Sequence, residues 1–340
     1  MYNLPDQSRV ERNSSLDLFK GICIIFVIIT HYQWADRERL SLLFPFWIDM
    51  AVPIFMIISG YLYAKSFERH GIGTVENAYE PKALLQRIIR FTVPFTIAYL
   101  VEEVAYVVYY HEITPVKSLY RFLVGGAGPG SYYYPVMIQF IFWFPVIFFL
   151  IKRHGEKGFV GCIIINFIYE LLQRAYGMNE GCYRMLVFRY TFVIAFGCYM
   201  ALSKEKLKTW MLVLLGLVGA GYIVIFKYMN LTPPITIYWT GTSYLASMFI
   251  VPIAYVLITK ARISCKPLEI LGKASFNIFL VQMLYYAFAA RITYKIISNE
   301  PLQILVSIVI CILAGIPFFM LENCLTKKFI ANINKSILNN

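Results

Sequence analysis

Charge is scarce in this 340-residue chain. Asp, Glu, Lys and Arg make up only 15% of it, against about a quarter in soluble domains. Acids are the scarcer sign, 19 against 31 bases. With 59% hydrophobic residues and a mean hydropathy of +0.63, this shortage excludes an ordinary soluble globular domain. The seven cysteines (23, 162, 182, 198, 265, 311 and 324) form no CxxC pair and no regular spacing. Neither a disulfide framework nor a metal site is therefore expected. Histidine is rarer still. His70, His111 and His154 fall in polar connections, and only His31 lies within an apolar run. The first apolar run lacks a small-residue cleavage site and continues into aromatic and charged residues, so it is expected to stay as a helix and not be removed as a signal peptide.

What the chain does have is apolar runs of membrane-spanning length. Ten spans are expected, at 16–34, 41–64, 84–110, 133–151, 158–175, 183–202, 209–229, 238–259, 274–296 and 301–323. The fold class is all-α, a polytopic membrane protein with one transmembrane domain over 1–340. Its helical core spans 10–325, and a basic amphipathic tail over 326–340 lies on the inner leaflet. With the N-terminus inside, the cytoplasmic segments hold 18 Lys and Arg. The external loops hold four: Arg37, Arg39, Lys117 and Arg121. This asymmetry places both termini in the cytoplasm of a plasma-membrane protein. The net charge of +12 is thereby mostly topology and does not point to nucleic acid.

The organising stretch is Ser15–Trp34, SLDLFKGICIIFVIITHYQW. Eleven steps of about 100° put Lys20 and His31 on one helical face, roughly 16 Å apart along the axis. Ionisable groups inside a membrane are functional candidates by default. Snorkelling of Lys20 and simple core packing of His31 are the competing readings at this point. Asp17 is expected to pair with Lys20 at i,i+3. In the second span Pro53 is expected to introduce a kink, with Asp49 about a third of the way in. Arg87 and Arg90 share one face at the start of the third span. The external GGAGPGSYYYP reads as a flexible turn ending in interfacial tyrosines.

The remaining ionisable groups sort by depth. Lys20, Arg87, Arg90 and Lys273 lie near cytoplasmic helix ends and form a purely basic layer, suited to a polyanion and to bidentate phosphate clamping. His31, Asp49, Glu102, Glu103, Glu170, Arg174, Arg184 and Arg189 form a mixed outer layer that should line a hydrated cavity. Such a cavity suits transport and proton-transfer chemistry equally.

Four segments, in order, resemble the acyltransferase 3 family of membrane acyltransferases. LDLFKGICIIFVIITH resembles its basic residue, ten residues, then histidine. VPIFMIISGYLYAKS resembles its Phe followed by Ser-Gly and an aromatic. RIIRFTVPF resembles its Arg-x-x-Arg entry, and LGKASFNIFLVQ its late Gly-basic-small-Ser-aromatic helix. The chain departs from the pattern at Gln282, where many members carry histidine, and at Tyr132–Tyr134, where many carry Trp and Phe.

The resemblance implies transfer of an acyl group, most often acetyl, from cytoplasmic acyl-coenzyme A to a hydroxyl of a carbohydrate or lipid-linked glycan. No metal and no nucleic acid are involved. Arg87, Arg90, Lys20 and Lys273 would meet the donor, and His31 would act as general base or as an acyl-carrying nucleophile. Asp49 would orient the imidazole, with Glu102 and Glu103 as rivals. Glu102, Glu103, Tyr133, Tyr134, Arg184, Arg189 and Gln282 are acceptor-side candidates, although the tyrosines also suit interfacial anchoring. Ser59 and Gly60 fit helix packing at least as well as ligand contact. Two other classes stay open. One is a transporter or flippase for lipid-linked glycans, which would leave the Lys20/His31 spacing unexplained. The other is a non-catalytic protein on the same scaffold.

Overall fold

The structure is a computed structural model that describes residues 14–111, 114–203, 207–231 and 244–338, and every regular element among them is helical. The main helices are α1 (Ser14–Thr30), α2 (Ala51–Arg69), α3 (Pro81–Tyr110), α4 (Pro115–Val124), α5 (Tyr133–His154), α6 (Glu156–Ala175) and α7 (Thr191–Leu202). They are followed by α8 (Thr209–Ile223), α9 (Val251–Thr259), α10 (Lys266–Lys273), α11 (Ser275–Leu284), α12 (Ala290–Ile296) and α13 (Glu300–Leu338).

Seven stretches are long and apolar enough to cross a membrane: Phe44–Arg69, Val75–Tyr110, Tyr133–His154, Glu156–Ala175, Thr209–Tyr228, Ser275–Ile296 and Glu300–Asn332. Three further apolar helices are shorter: α1 with 17 residues, Val187–Leu202 and Leu245–Thr259. In the sixth expected span hydropathy overstates the helix length because it does not register a backbone break. The expected sixth span is interrupted at Leu186, whose backbone is extended (φ −93°, ψ 132°) between Glu180–Met185 and a 3₁₀ turn at Val187–Tyr190. Residues 1–13 and the 238–243 part of the expected eighth span lie outside the described residues.

One local expectation is corrected. Pro53 does not kink the second span. Two 3₁₀ turns, Phe44–Phe46 and Ile48–Met50, precede α2, so Pro53 sits in the first turn, where its missing N–H is not needed. α13 runs unbroken from Glu300 to Leu338, with Pro317 inside it.

α1 is central and packs against α2, α10, α11 and α13. α2 pairs most extensively with α7. A Cβ on Gly60 would stand 2.2 Å from the Ile194 carbonyl oxygen of α7, so only glycine permits that approach. Close small-residue contact of this kind is how helices associate where lipid replaces the hydrophobic effect. Edge-to-face rings tie α5 to the same pair: Tyr63–Phe140 at 4.8 Å and Phe67–Phe144 at 5.2 Å. Each such pair contributes about 0.5–1.5 kcal/mol beyond area burial. On the outside, Leu100, Val104 and Val108 form an exposed stripe at i, i+4, i+8 along α3, and Trp210, Leu214 and Leu217 form one at i, i+4, i+7 on α8. Apolar faces left uncovered in this way suit lipid.

Candidate active site

Three cavities lie one after another through the helix packing. The inner one, about 740 Å³, opens between the end of α2 and the start of α3. Arg69, Arg87 and Arg90 line it against a single acid, Glu80. Arg87 is held there by its own hydrogen bond to the Ala78 carbonyl (3.0 Å) and by stacking over Phe67 at 4.7 Å. The i,i+3 spacing read from the sequence thus brings both α3 arginines to one cavity wall.

Tyr63 lines both this cavity and the next, a narrow apolar tunnel of about 190 Å³. Lys20, Ser59, Tyr133, Ser275 and His31 lie along its wall. Lys20 pairs with Asp17 at 2.8 Å, as the i,i+3 spacing implied. Lys273 is exposed and lines none of the three cavities.

Thr30, His31, Gly130 and Tyr132 line both the tunnel and the outer cavity, which measures about 670 Å³. His31 is fixed by how α1 ends. The last carbonyls of a helix have no partners within the helix, and in lipid they must find others. Here the Ile28 carbonyl accepts from the Tyr286 hydroxyl (2.9 Å), the Ile29 carbonyl from the Trp34 indole (2.7 Å) and the Thr30 carbonyl from Arg39 (3.1 Å). α1 therefore stops at Thr30, and His31 occupies the turn beyond it, at the junction of tunnel and outer cavity. Its ring meets the glycine-rich segment. A Cβ on Gly130, at φ +87°, would lie 3.3 Å from His31 Cε1, so both the conformation and the space call for glycine. Ala127 donates its backbone N–H to Glu102 at 3.0 Å.

The other candidates separate cleanly. Asp49 does not hydrogen-bond the imidazole. Its carboxylate accepts from Arg39 at 2.6 Å and from the Thr30 hydroxyl at 3.3 Å. His31 Nδ1 is buried without a hydrogen-bond partner, as are both amide atoms of Gln282, which is wholly buried on α11. Glu102 is buried beneath the glycine-rich segment. Glu103 binds Tyr99 (2.7 Å), Ser118 (2.6 Å) and Arg121 (2.6 Å), fastening α4 to α3. Neither acid lines a cavity. Tyr134 stacks on Phe95 at 3.7 Å and is buried away from the outer mouth, whereas Tyr133 faces the tunnel. Arg184 and Arg189 both line the outer cavity.

Sequence reasoning missed several residues of that outer wall. Arg39 was counted only as loop charge, and Lys227 follows an apolar run that ends in a π-helical turn, Val224–Tyr228. A second π turn, Tyr285–Ala289, presents Tyr286 to the end of α1. Among the described residues no group of three His, Cys, Asp or Glu is placed to hold a metal ion.

A family model described as an acyltransferase domain matches residues 13–320, nearly the whole chain. The chain belongs to the acyltransferase 3 family. Neither the curated proteins nor the solved structures returned a match. As a family member the chain is an acyltransferase with membrane-spanning helices, taking an acyl donor and an acceptor. In this acyltransferase all four motif segments contribute residues to these cavities or to the helix contacts around them. Arg87 and Arg90 reach the inner one, and Lys20, His31, Ser59 and Ser275 the tunnel. Gly60 instead serves the contact between α2 and α7.

Proposed function

We propose that this acyltransferase moves an acetyl group from cytoplasmic acetyl-coenzyme A to a hydroxyl of a carbohydrate or lipid-linked glycan on the opposite side of the plasma membrane. The observation that carries this reading is the sequence of cavities: a basic inner one joined through Tyr63 to a tunnel, and the tunnel joined through His31 to a polar outer one. Arginines suit the nucleotide phosphates, since a planar guanidinium can engage phosphate bidentately. The tunnel is mostly apolar and suits a pantetheine arm. It runs along α1 from Lys20 to His31, roughly 16 Å by helical rise.

The chemistry follows at the tunnel's outer end. The acceptor hydroxyl attacks the thioester carbonyl carbon while the imidazole of His31 takes its proton. The carbon–sulfur bond then breaks, and the departing coenzyme A thiolate recovers the proton from the imidazolium. The Arg39–Asp49–Thr30 cluster fixes the helix end that presents the ring. Lys20 compensates charge at the tunnel's inner end. Lys273 adds to the basic surface on the donor side without entering a cavity.

For the topology we propose ten crossings, the seven long stretches together with the three short apolar helices. An even number leaves both termini on the cytoplasmic side, in agreement with the 18-to-four distribution of Lys and Arg.

The donor assignment makes a direct prediction. Arg87→Ala and Arg90→Ala should each weaken acetyl-coenzyme A binding to purified protein by roughly ten-fold, the scale of a charge-assisted phosphate contact. Calorimetric titration reads this. Unchanged affinity in both variants would leave the arginines as topology determinants only.

A further inference from the structure

The outer cavity is basic on the side opposite the donor, where a neutral sugar hydroxyl would not require it. Arg39, Arg184, Arg189 and Lys227 line it against two acids, Asp36 and Asp49. Two of these cations have identified carboxylate partners: Arg39 with Asp49, and Arg184 with Glu180. Arg189 differs. It is 1% exposed, yet its contacts are all with tyrosines: the Tyr190 hydroxyl and the faces of Tyr190 (4.5 Å), Tyr132 (5.0 Å) and Tyr183 (5.5 Å). The buried acid on neighbouring α6, Glu170, accepts from the Tyr183 hydroxyl at 2.7 Å. Arg189 Nε and Nη1 are buried without a hydrogen-bond partner. A desolvated guanidinium with two unused donors is costly, and an anion accepting both would offset that cost.

The position of Arg189 is set by the chain's own geometry. It lies in the 3₁₀ turn that follows the break at Leu186. Tyr132, whose ring packs against Arg189, also lines both the tunnel and the outer cavity, so the arginine adjoins the place where His31 meets an acceptor. The π-helical turn on the far rim brings in Lys227.

We infer that the outer cavity selects an anionic acceptor, a saccharide carrying a carboxylate or a phosphate ester, with Arg189 as the specificity residue and Lys227 supporting it from the rim. This inference rests on the acyl-transfer reading for the word acceptor but not for the binding itself. It is therefore tested without donor. Full-length protein in nanodiscs is titrated with glucose, glucuronate and glucose 1-phosphate, following the fluorescence of Trp34 and the other tryptophans or calorimetric heat. Glucuronate, glucose 1-phosphate or both should bind roughly ten-fold or more tightly than glucose, as one charge-assisted bidentate contact allows. The anion that binds more tightly identifies the group as carboxylate or phosphate. Arg189→Gln should erase the preference, and Arg189→Lys should retain part of it. Because Arg189 is buried and its variants may not fold, Lys227→Gln serves as the second variant and should reduce the preference several-fold.

Equal affinity for glucose overturns the inference. So does no binding of either anion, or a preference that survives in folded Arg189→Gln. Coenzyme A release is measured separately with the same sugars. Release that is equal with glucose overturns anion selection while leaving acyl transfer standing. No release with any acceptor counts against the acyl-transfer reading, and the binding data still decide the inference.

Discussion

Replacing His31 with alanine should lower acetyl transfer by about 10²–10⁴-fold, the usual contribution of a positioned general base. Affinity for acetyl-coenzyme A should change little, because the basic cavity that would take its phosphates lies at the other end of the tunnel. The substitution is structurally mild. The capping bonds to the Ile28, Ile29 and Thr30 carbonyls come from Tyr286, Trp34 and Arg39, so the end of α1 keeps its partners without the imidazole. Reconstituted protein, assayed for acetylated product with membrane insertion checked in parallel, gives the answer. Retained transfer in the folded variant would remove His31 from the mechanism. A general base also predicts no burst of coenzyme A before acceptor is added. A stoichiometric burst would instead indicate an acetylated imidazole.

Ser59→Phe should reduce turnover by roughly 10²-fold or more, because displacement of a reacting group by about 1 Å already costs that much. Ser59 lies on the tunnel wall beside Tyr63 and Ile24, and a phenyl ring there occupies a large part of a cavity of about 190 Å³. The inner cavity does not include Ser59, so adenosine 3′,5′-bisphosphate should bind the variant as it binds the parent. Ser59→Ala, which leaves the passage open, should be close to neutral in both assays. Loss of nucleotide binding along with turnover would mean that the variant disturbs α2 as a whole. Normal turnover in Ser59→Phe would show that the acyl group does not travel through this tunnel.

Much of this arrangement was legible in the sequence because it follows from spacing. Lys20 and His31 eleven positions apart, and Arg87 and Arg90 three apart, are helix-face relations, and each pair does share a cavity wall. What spacing cannot give is the neighbour across the packing. Asp49 was expected to face His31 because the two lie at similar depth, but Arg39 of the intervening turn takes its carboxylate. Glu102 and Glu103 are adjacent in sequence, in the C-terminal half of α3. One nevertheless holds the glycine-rich segment and the other holds α4. Backbone irregularity was equally invisible. The stop of α1 at Thr30, the extended Leu186 and the π turn carrying Lys227 are set by tertiary hydrogen bonding and packing, to which hydropathy is blind. These irregular points all adjoin the outer cavity, where helices must open to admit a ligand.

The central claim is that acetyl crosses from a basic inner cavity to an outer cavity at His31. Proteoliposomes with acetyl-coenzyme A confined to one side and an impermeant saccharide acceptor to the other test it most directly. Orientation can be read by impermeant maleimide on Cys182, which is exposed. Acetylated acceptor should form only when acetyl-coenzyme A is on the Arg87 and Arg90 side and acceptor on the Arg184 side. Product formed with both substrates confined to one side would contradict it.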